Sequence, residues 1–185
     1  MKNKLRRALL DRQVTLGSWI QIGHPASAEV LARAGFDWAC VDLEHGAIDL
    51  ATTADNFRGL AGFDCVPVAR LPLNDPIWIH RTLDAGARGL IIPMVKSAAE
   101  AEAAVREAKY PPCGVRGYGY SRANLYGADW GRIRKVCARN LISGARVGAL
   151  FASGVVLEPI TLLLGRGFGT RLGQIRNEKR NKENN

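Results

Sequence analysis

The chain has 185 residues, enough for one domain with a real core, and its formal charge of +9 comes from 26 Lys+Arg against 17 Asp+Glu. The charge is uneven: residues 1–130 carry 15 basic against 14 acidic side chains and residues 131–185 carry 11 against 3, which excludes a broad basic face on the first two thirds and marks a boundary near residue 130. The cysteines Cys40, Cys65, Cys113 and Cys137 are widely spaced, with no C-x-x-C pair and no histidine at zinc-finger spacing. A disulfide framework and a zinc finger are thereby excluded, and reduced thiols of a cytoplasmic protein are expected.

Met1 to Gln13 is basic, with only Ala8-Leu9-Leu10 as an apolar run, too short for the core of a signal peptide. Leu16 to Ile22 reads as a strand ended by Gly23-His24-Pro25, and Ser27 is the expected N-cap of a helix through Ala34 that Gly35 stops. Trp38 to Leu43 gives a second strand. Leu50, Ala54, Phe57 and Ala61 share a helical face closed by Gly62. Val66 to Arg70 is a third strand, whose Pro67 must sit where no ladder donor is needed. Asn74 or Asp75 caps the next helix, with Pro76 in its first turn, Ile79 and Leu83 on its buried face and Gly86 at its close. Gly89 to Val95 is a fourth strand, apolar enough for burial on both faces. Ser97-Ala98-Ala99-Glu100 is a capping box opening a helix that runs to Lys109 and ends before Pro111-Pro112. Gly114-x-x-Gly117-x-Gly119 follows a helix rather than a strand, so it reads as a loop and not as a dinucleotide fingerprint.

Four βα units in succession predict an α/β fold with a parallel sheet and helices outside. The natural closure of such a series is a (β/α)8 TIM barrel, which takes roughly 250 residues, so the expected architecture is of that type but incomplete. Residues 1–130 form the half-barrel, and residues 131–185 form a divergent basic tail.

The chemistry gathers where the strands end. Val41-Asp42-Leu43-Glu44-His45-Gly46 is an apolar strand that breaks into two carboxylates, an imidazole and a glycine. Alternation puts Asp42 and Glu44 on one face, where they read as partners for Arg70 rather than as a local metal cluster. His45 has the character of a general base, Asp84 that of a carboxylate able to raise its basicity, and Arg70 that of a clamp for a developing enolate oxygen. Position alone also fits plainer roles: a surface imidazole, a helix-end carboxylate and a solvated strand-end cation. His24 and His80 have no partner pattern.

Gly17-Ser18-Trp19, Ala34-Gly35-Phe36-Asp37-Trp38, Asp42-Leu43-Glu44-His45-Gly46, Val68-Ala69-Arg70-Leu71-Pro72, Leu83-Asp84-Ala85-Gly86-Ala87, Ile92-Pro93-Met94-Val95 and Tyr110-Pro111-Pro112 with Gly114-Val115-Arg116-Gly117 occur in this order. Over residues 15 to about 130 they resemble the HpcH/HpaI aldolases, metal-dependent class II pyruvate aldolases such as those acting on 4-hydroxy-2-oxoheptanedioate or 2-dehydro-3-deoxyglucarate. The resemblance implies a barrel fold and a carbon–carbon lyase that cleaves a 2-oxo acid to pyruvate and an aldehyde, or condenses the two. It implies His45 as proton acceptor, Asp84 as the residue that raises its basicity and Arg70 as transition-state stabiliser. A divalent metal (Mg2+, Mn2+ or Co2+) is implied as cofactor, small 2-oxo acids as substrates and a homo-oligomer as the assembly.

The resemblance stops near Trp130. The family's Gln-x-Glu and Gly-Pro-x-Asp-Leu patterns, which hold its metal ligands, have no counterpart, and the tail's acids are Glu158, Glu178 and Glu183. No metal ligand is therefore assigned. A change of reading frame or a fusion is the expected origin of the tail, and the alternative function is a catalytically inactive remnant lacking the metal site. Val147 to Leu164 approaches the length of a membrane span, but Glu158 and Pro159 interrupt it, so no membrane association is expected. Arg171 to Asn185 is basic without interleaved aromatics, and no nucleic-acid partner is expected.

Overall fold

A computed structural model describes residues 3–128 and the strand Val155–Leu157. Five strands, β1 (Gly17–Ile20), β2 (Trp38–Asp42), β3 (Val66–Arg70), β4 (Gly89–Ile92) and β5 (Val155–Leu157), lie side by side in chain order, every pair parallel. Helices α2 (Pro25–Arg33), α3 (Leu50–Gly59) and α4 (Pro76–Ala85) make the crossovers, and α5 (Ala98–Ala108) follows β4. This is α/β architecture of the (β/α)8 type, present in part. The strand β5 joins the sheet from beyond residue 130, while the expected boundary itself and the tail segments 147–154 and 158–185 lie outside the described residues.

The helix starts follow from local chemistry. Asp49 caps α3 by accepting from the Thr52 N–H (2.7 Å), and Asp75 caps α4 by accepting from the N–H groups of Ile77 (2.8 Å) and Trp78 (3.2 Å). Ser97 accepts from the Glu100 N–H (3.2 Å), as expected, but the Glu100 carboxylate returns to the Lys96 N–H (2.8 Å), one residue before the cap. The cap of α2 is not Ser27. His24 takes that place through Nδ1, which accepts from the Ala26 N–H (3.2 Å), because Pro25 fits the first helical position and starts the helix three residues earlier. The strands are shorter than their apolar runs: β2 ends at Asp42 and β4 at Ile92, and Met94 beyond β4 takes a positive φ of 59°. Pro67 is accommodated because its carbonyl faces β4, accepting from the Arg88 N–H (2.8 Å), one pair before that ladder opens at Val68↔Gly89.

The two faces of the sheet are covered differently. Ile20, Val41, Ala69, Leu90 and Ile92 pack against the helical layer through Phe57, Ile79, Leu83 and Ala104. Cys40, Val66 and Val68 point the other way and are covered by Leu5 and Leu9 of a helix absent from the expected series, α1 (Lys4–Leu10). Asn3 fixes this helix twice, accepting from the Arg6 N–H (3.1 Å) and donating through Nδ2 to the Arg88 carbonyl (2.8 Å). Alternation along β2 and β3 then puts Asp42 and Arg70 on the same inner face, two residues toward the C-terminal end from Cys40 and Val68. The inner face is thus apolar and capped at one end, and charged at the other.

At the apolar end the Trp38 ring lies over Gly17, its partner in the ladder, in the place a Cβ would occupy. Gly17→Ala is expected to lower stability by about 1–3 kcal/mol through overpacking, read as an earlier midpoint in urea with an unchanged slope.

Candidate functional site

Asp42 is the last residue of β2, fully buried, and its carboxylate collects five donors. Arg70, its partner in the β2–β3 ladder, donates from Nε to Oδ1 (2.9 Å) and from Nη2 to Oδ2 (2.7 Å). Gln21 Nε2, from the end of β1, donates to Oδ2 (2.9 Å). The backbone N–H groups of Glu44 and His45 both donate to Oδ1 (3.2 Å each). One carboxylate therefore holds the arginine fork and the turn that carries the imidazole.

The turn is tight. A Cβ at Gly46 would collide with the Asp42 carbonyl oxygen, so glycine is required by close approach. Within the turn, Glu44 places Oε2 at 3.3 Å from Arg70 Nε and at 3.8 Å from His45 Nε2. The His45 side chain is 65% exposed. Trp19, two residues before Gln21, lays its ring 4.5 Å from the guanidinium carbon of Arg70.

The electrostatics follow from the same contacts. Burial is the largest influence on Asp42 and pushes its carboxyl pKa up, but the hydrogen bonds from Arg70, Gln21 and the His45 N–H together outweigh it and hold the group well below the usual carboxylate range. Cys40, two residues earlier on the same face, is pushed up by burial and then by the Asp42 charge, which makes it a packed thiol rather than a nucleophile.

Of the three expected site residues, the structure brings His45 and Arg70 together through Asp42 and puts Asp84 elsewhere. Asp84 lies near the C-terminal end of α4, and a crossover helix returns to the end of the sheet where the next strand begins. Its carboxylate accepts from Arg116 Nη2 and from Ser121 Oγ (3.3 Å), and Arg116 is itself buried against the Tyr110 ring (4.7 Å). Among the described residues, the carboxylate beside the His45 ring is that of Glu44 rather than Asp84. Within one chain the imidazole and Asp84 stand at opposite ends of the strands, roughly 13 Å or more apart by strand rise.

Glu44 and Asp42 do pair with Arg70, as their shared face implies. Trp19 and Gln21 escaped the sequence reading: they are two apart on β1 and so share a face, but only the ladder Trp19↔Cys40 shows that this face meets Asp42 and Arg70. For a metal, the described residues offer no group of three or more His, Cys, Asp or Glu side chains. The donors already seated on Asp42 also leave it poorly suited to a cation. The described residues by themselves do not fit a divalent ion.

The family model of HpcH/HpaI aldolase/citrate lyase matches residues 15–160. A 5-keto-4-deoxy-D-glucarate aldolase of Escherichia coli O139:H28 (strain E24377A / ETEC) is 44% identical over 126 residues, which is 68% of this chain and 49% of that protein. The chain thus spans about half the length of the curated relatives it matches. Among solved structures, an HpcH/HpaI aldolase/citrate lyase family protein from Burkholderia cenocepacia J2315 matches with TM-score 0.69 and 34% identity, covering 75% of this chain and 57% of the other. An HpcH/HpaI aldolase from Desulfitobacterium hafniense DCB-2 matches with TM-score 0.62 and 28% identity, covering 71% of this chain and 52% of its own.

Removing Arg70 leaves a buried carboxylate without its counter-charge. Arg70→Ala is expected to cost about 3–5 kcal/mol in urea unfolding. Because the Asp42 pKa is lower in the folded chain than in the unfolded one, its contribution is present above the unfolded value of 3.8 and is lost as pH falls from there through the folded value. Asp42→Asn is therefore expected to flatten the acid limb of a stability–pH profile below about pH 5, while lowering stability at neutral pH.

Proposed function

The chain belongs to the HpcH/HpaI aldolase/citrate lyase family, and we propose that it carries the proton-transfer and enolate-stabilising half of an aldolase site. The reaction is cleavage of a 2-oxo acid to pyruvate and an aldehyde, or its reverse. The 44% identity to a 5-keto-4-deoxy-D-glucarate aldolase supports a hydroxylated sugar-acid chain as the substrate class. The observation that carries the reading is the double hold of Asp42 on Arg70 and on the His45 turn, which fixes a base and a cationic fork beside each other at the C-terminal end of a parallel sheet.

In the condensing direction, His45 takes a proton from the methyl group of pyruvate. The electron pair moves toward the carbonyl oxygen, where the permanent charge of Arg70 opposes the build-up of negative charge. The enolate carbon then bonds to the aldehyde carbonyl carbon, whose oxygen takes up a proton; in cleavage that hydroxyl loses its proton, the carbon–carbon bond breaks to aldehyde and enolate, and the imidazolium returns a proton to the enolate carbon. Family resemblance supports a divalent metal as the group that would polarise the 2-oxo acid, although the described residues do not by themselves fit it.

Asp84 acts on His45 in this reading from a second copy of the chain, because its own carboxylate stands at the far end of the sheet. The homo-oligomer that the resemblance implies supplies that copy, and a cytoplasmic location suits the reduced thiols Cys40 and Cys65. Among the described residues no helix is long and apolar enough to cross a membrane.

Exchange of the methyl protons of pyruvate in heavy water tests the proposal without a choice of aldehyde. Exchange is expected, with loss in His45→Ala; a folded chain without exchange, with or without added Mg2+, Mn2+ or Co2+, would overturn the aldolase reading. Asp84→Asn is expected to lower the exchange rate, since the carboxylate would no longer orient the imidazole. Mixing His45→Ala chains with Asp84→Asn chains is expected to restore part of the activity, as each supplies what the other lacks. No recovery on mixing would return Asp84 to a role in anchoring residues 116–121.

A further inference from the structure

Asp42, Glu44 and Trp19 are among the neighbours of Arg70, and they constrain it in different ways. The two parallel bonds to Asp42, 2.9 Å and 2.7 Å, fix the fork within its own plane. Glu44 adds a contact to the same Nε edge at 3.3 Å. The two bonds to Asp42 lie along one edge of the fork, so rocking about that edge, out of the plane, is the motion they restrain least. The Trp19 ring opposes it: its face lies 4.5 Å from the guanidinium carbon, and a cation over an aromatic face gains most when the two planes stay close.

We infer that Trp19 is a positioning residue, whose aromatic face fixes the out-of-plane orientation of the Arg70 guanidinium. This rests on the aldolase reading for its catalytic meaning, though not for its geometry. The sheet makes the placement: Trp19 pairs with Cys40, Arg70 pairs with Asp42, and all four residues lie on the inner face. At 39% exposure Trp19 is also on the accessible side of the cluster. A charge that stabilises a developing enolate oxygen acts through direction as well as distance, so a rocking fork would cost turnover more than ground-state binding.

The test compares Trp19→Phe, which keeps an aromatic face, with Trp19→Leu, which keeps apolar bulk alone. In pyruvate proton exchange, Trp19→Leu is expected to lower kcat about tenfold with KM changed by less than about twofold, and Trp19→Phe to recover most of the loss. A second reading needs no activity: the Nε–H resonance of Arg70 in a nitrogen-15 spectrum, assigned by its disappearance in Arg70→Lys, is expected to be sharp and slow to exchange in the parent chain and in Trp19→Phe, and broadened in Trp19→Leu. If the parent chain exchanges no pyruvate protons, the aldolase reading fails while the resonance still decides the geometry. An unchanged Arg70 resonance and unchanged kcat in Trp19→Leu would overturn the inference, and so would equal losses in Trp19→Phe and Trp19→Leu.

Discussion

The arrangement turns on one buried carboxylate. Asp42 is removed from water where an unpaired charge would be untenable, and it is kept ionised by the donors that converge on it from β1, β3 and its own following turn. The dependence is mutual. Those donors have no reason to meet except that the carboxylate is there, so removing the charge would loosen the strand ends and the turn together. A pair of this kind is weak evidence for net stability but a strong device for register: a slip of one residue between β2 and β3 would turn either Asp42 or Arg70 into the helical layer.

Much of this was legible in the chain. Strand–helix alternation, the Asp75 and Ser97 caps and the pairing of Asp42 and Glu44 with Arg70 follow from periodicity and from side chains able to do one thing at one place. What could not be read was the relation between strands. Trp19 and Gln21 look like ordinary strand residues until the ladder sets them beside Cys40 and Asp42. The helix Lys4–Leu10 has too few turns to show a periodic face, and its meaning comes from the Cys40, Val66 and Val68 surface that it covers.

Asp84 and His45 illustrate a harder limit. Both lie in motifs that point to one reaction, yet a βα crossover carries the chain back to the opposite end of the sheet, so residues at the end of a helix and at the end of a strand do not meet within one unit. The covalent order of the motifs and the spatial order of the site differ, and the Asp84 contacts with Arg116 and Ser121 show what its carboxylate does locally.

The helix that covers Cys40, Val66 and Val68 gives the inner face a direction. Along β2 and β3 the side chains pass from a sealed, greasy floor to a charged rim within two steps of the alternation. Changes at the floor alter how firmly the strands are held, whereas changes at the rim alter what the strands present. A lineage can therefore harden or soften this scaffold from beneath and retune its chemistry from above, each largely without disturbing the other.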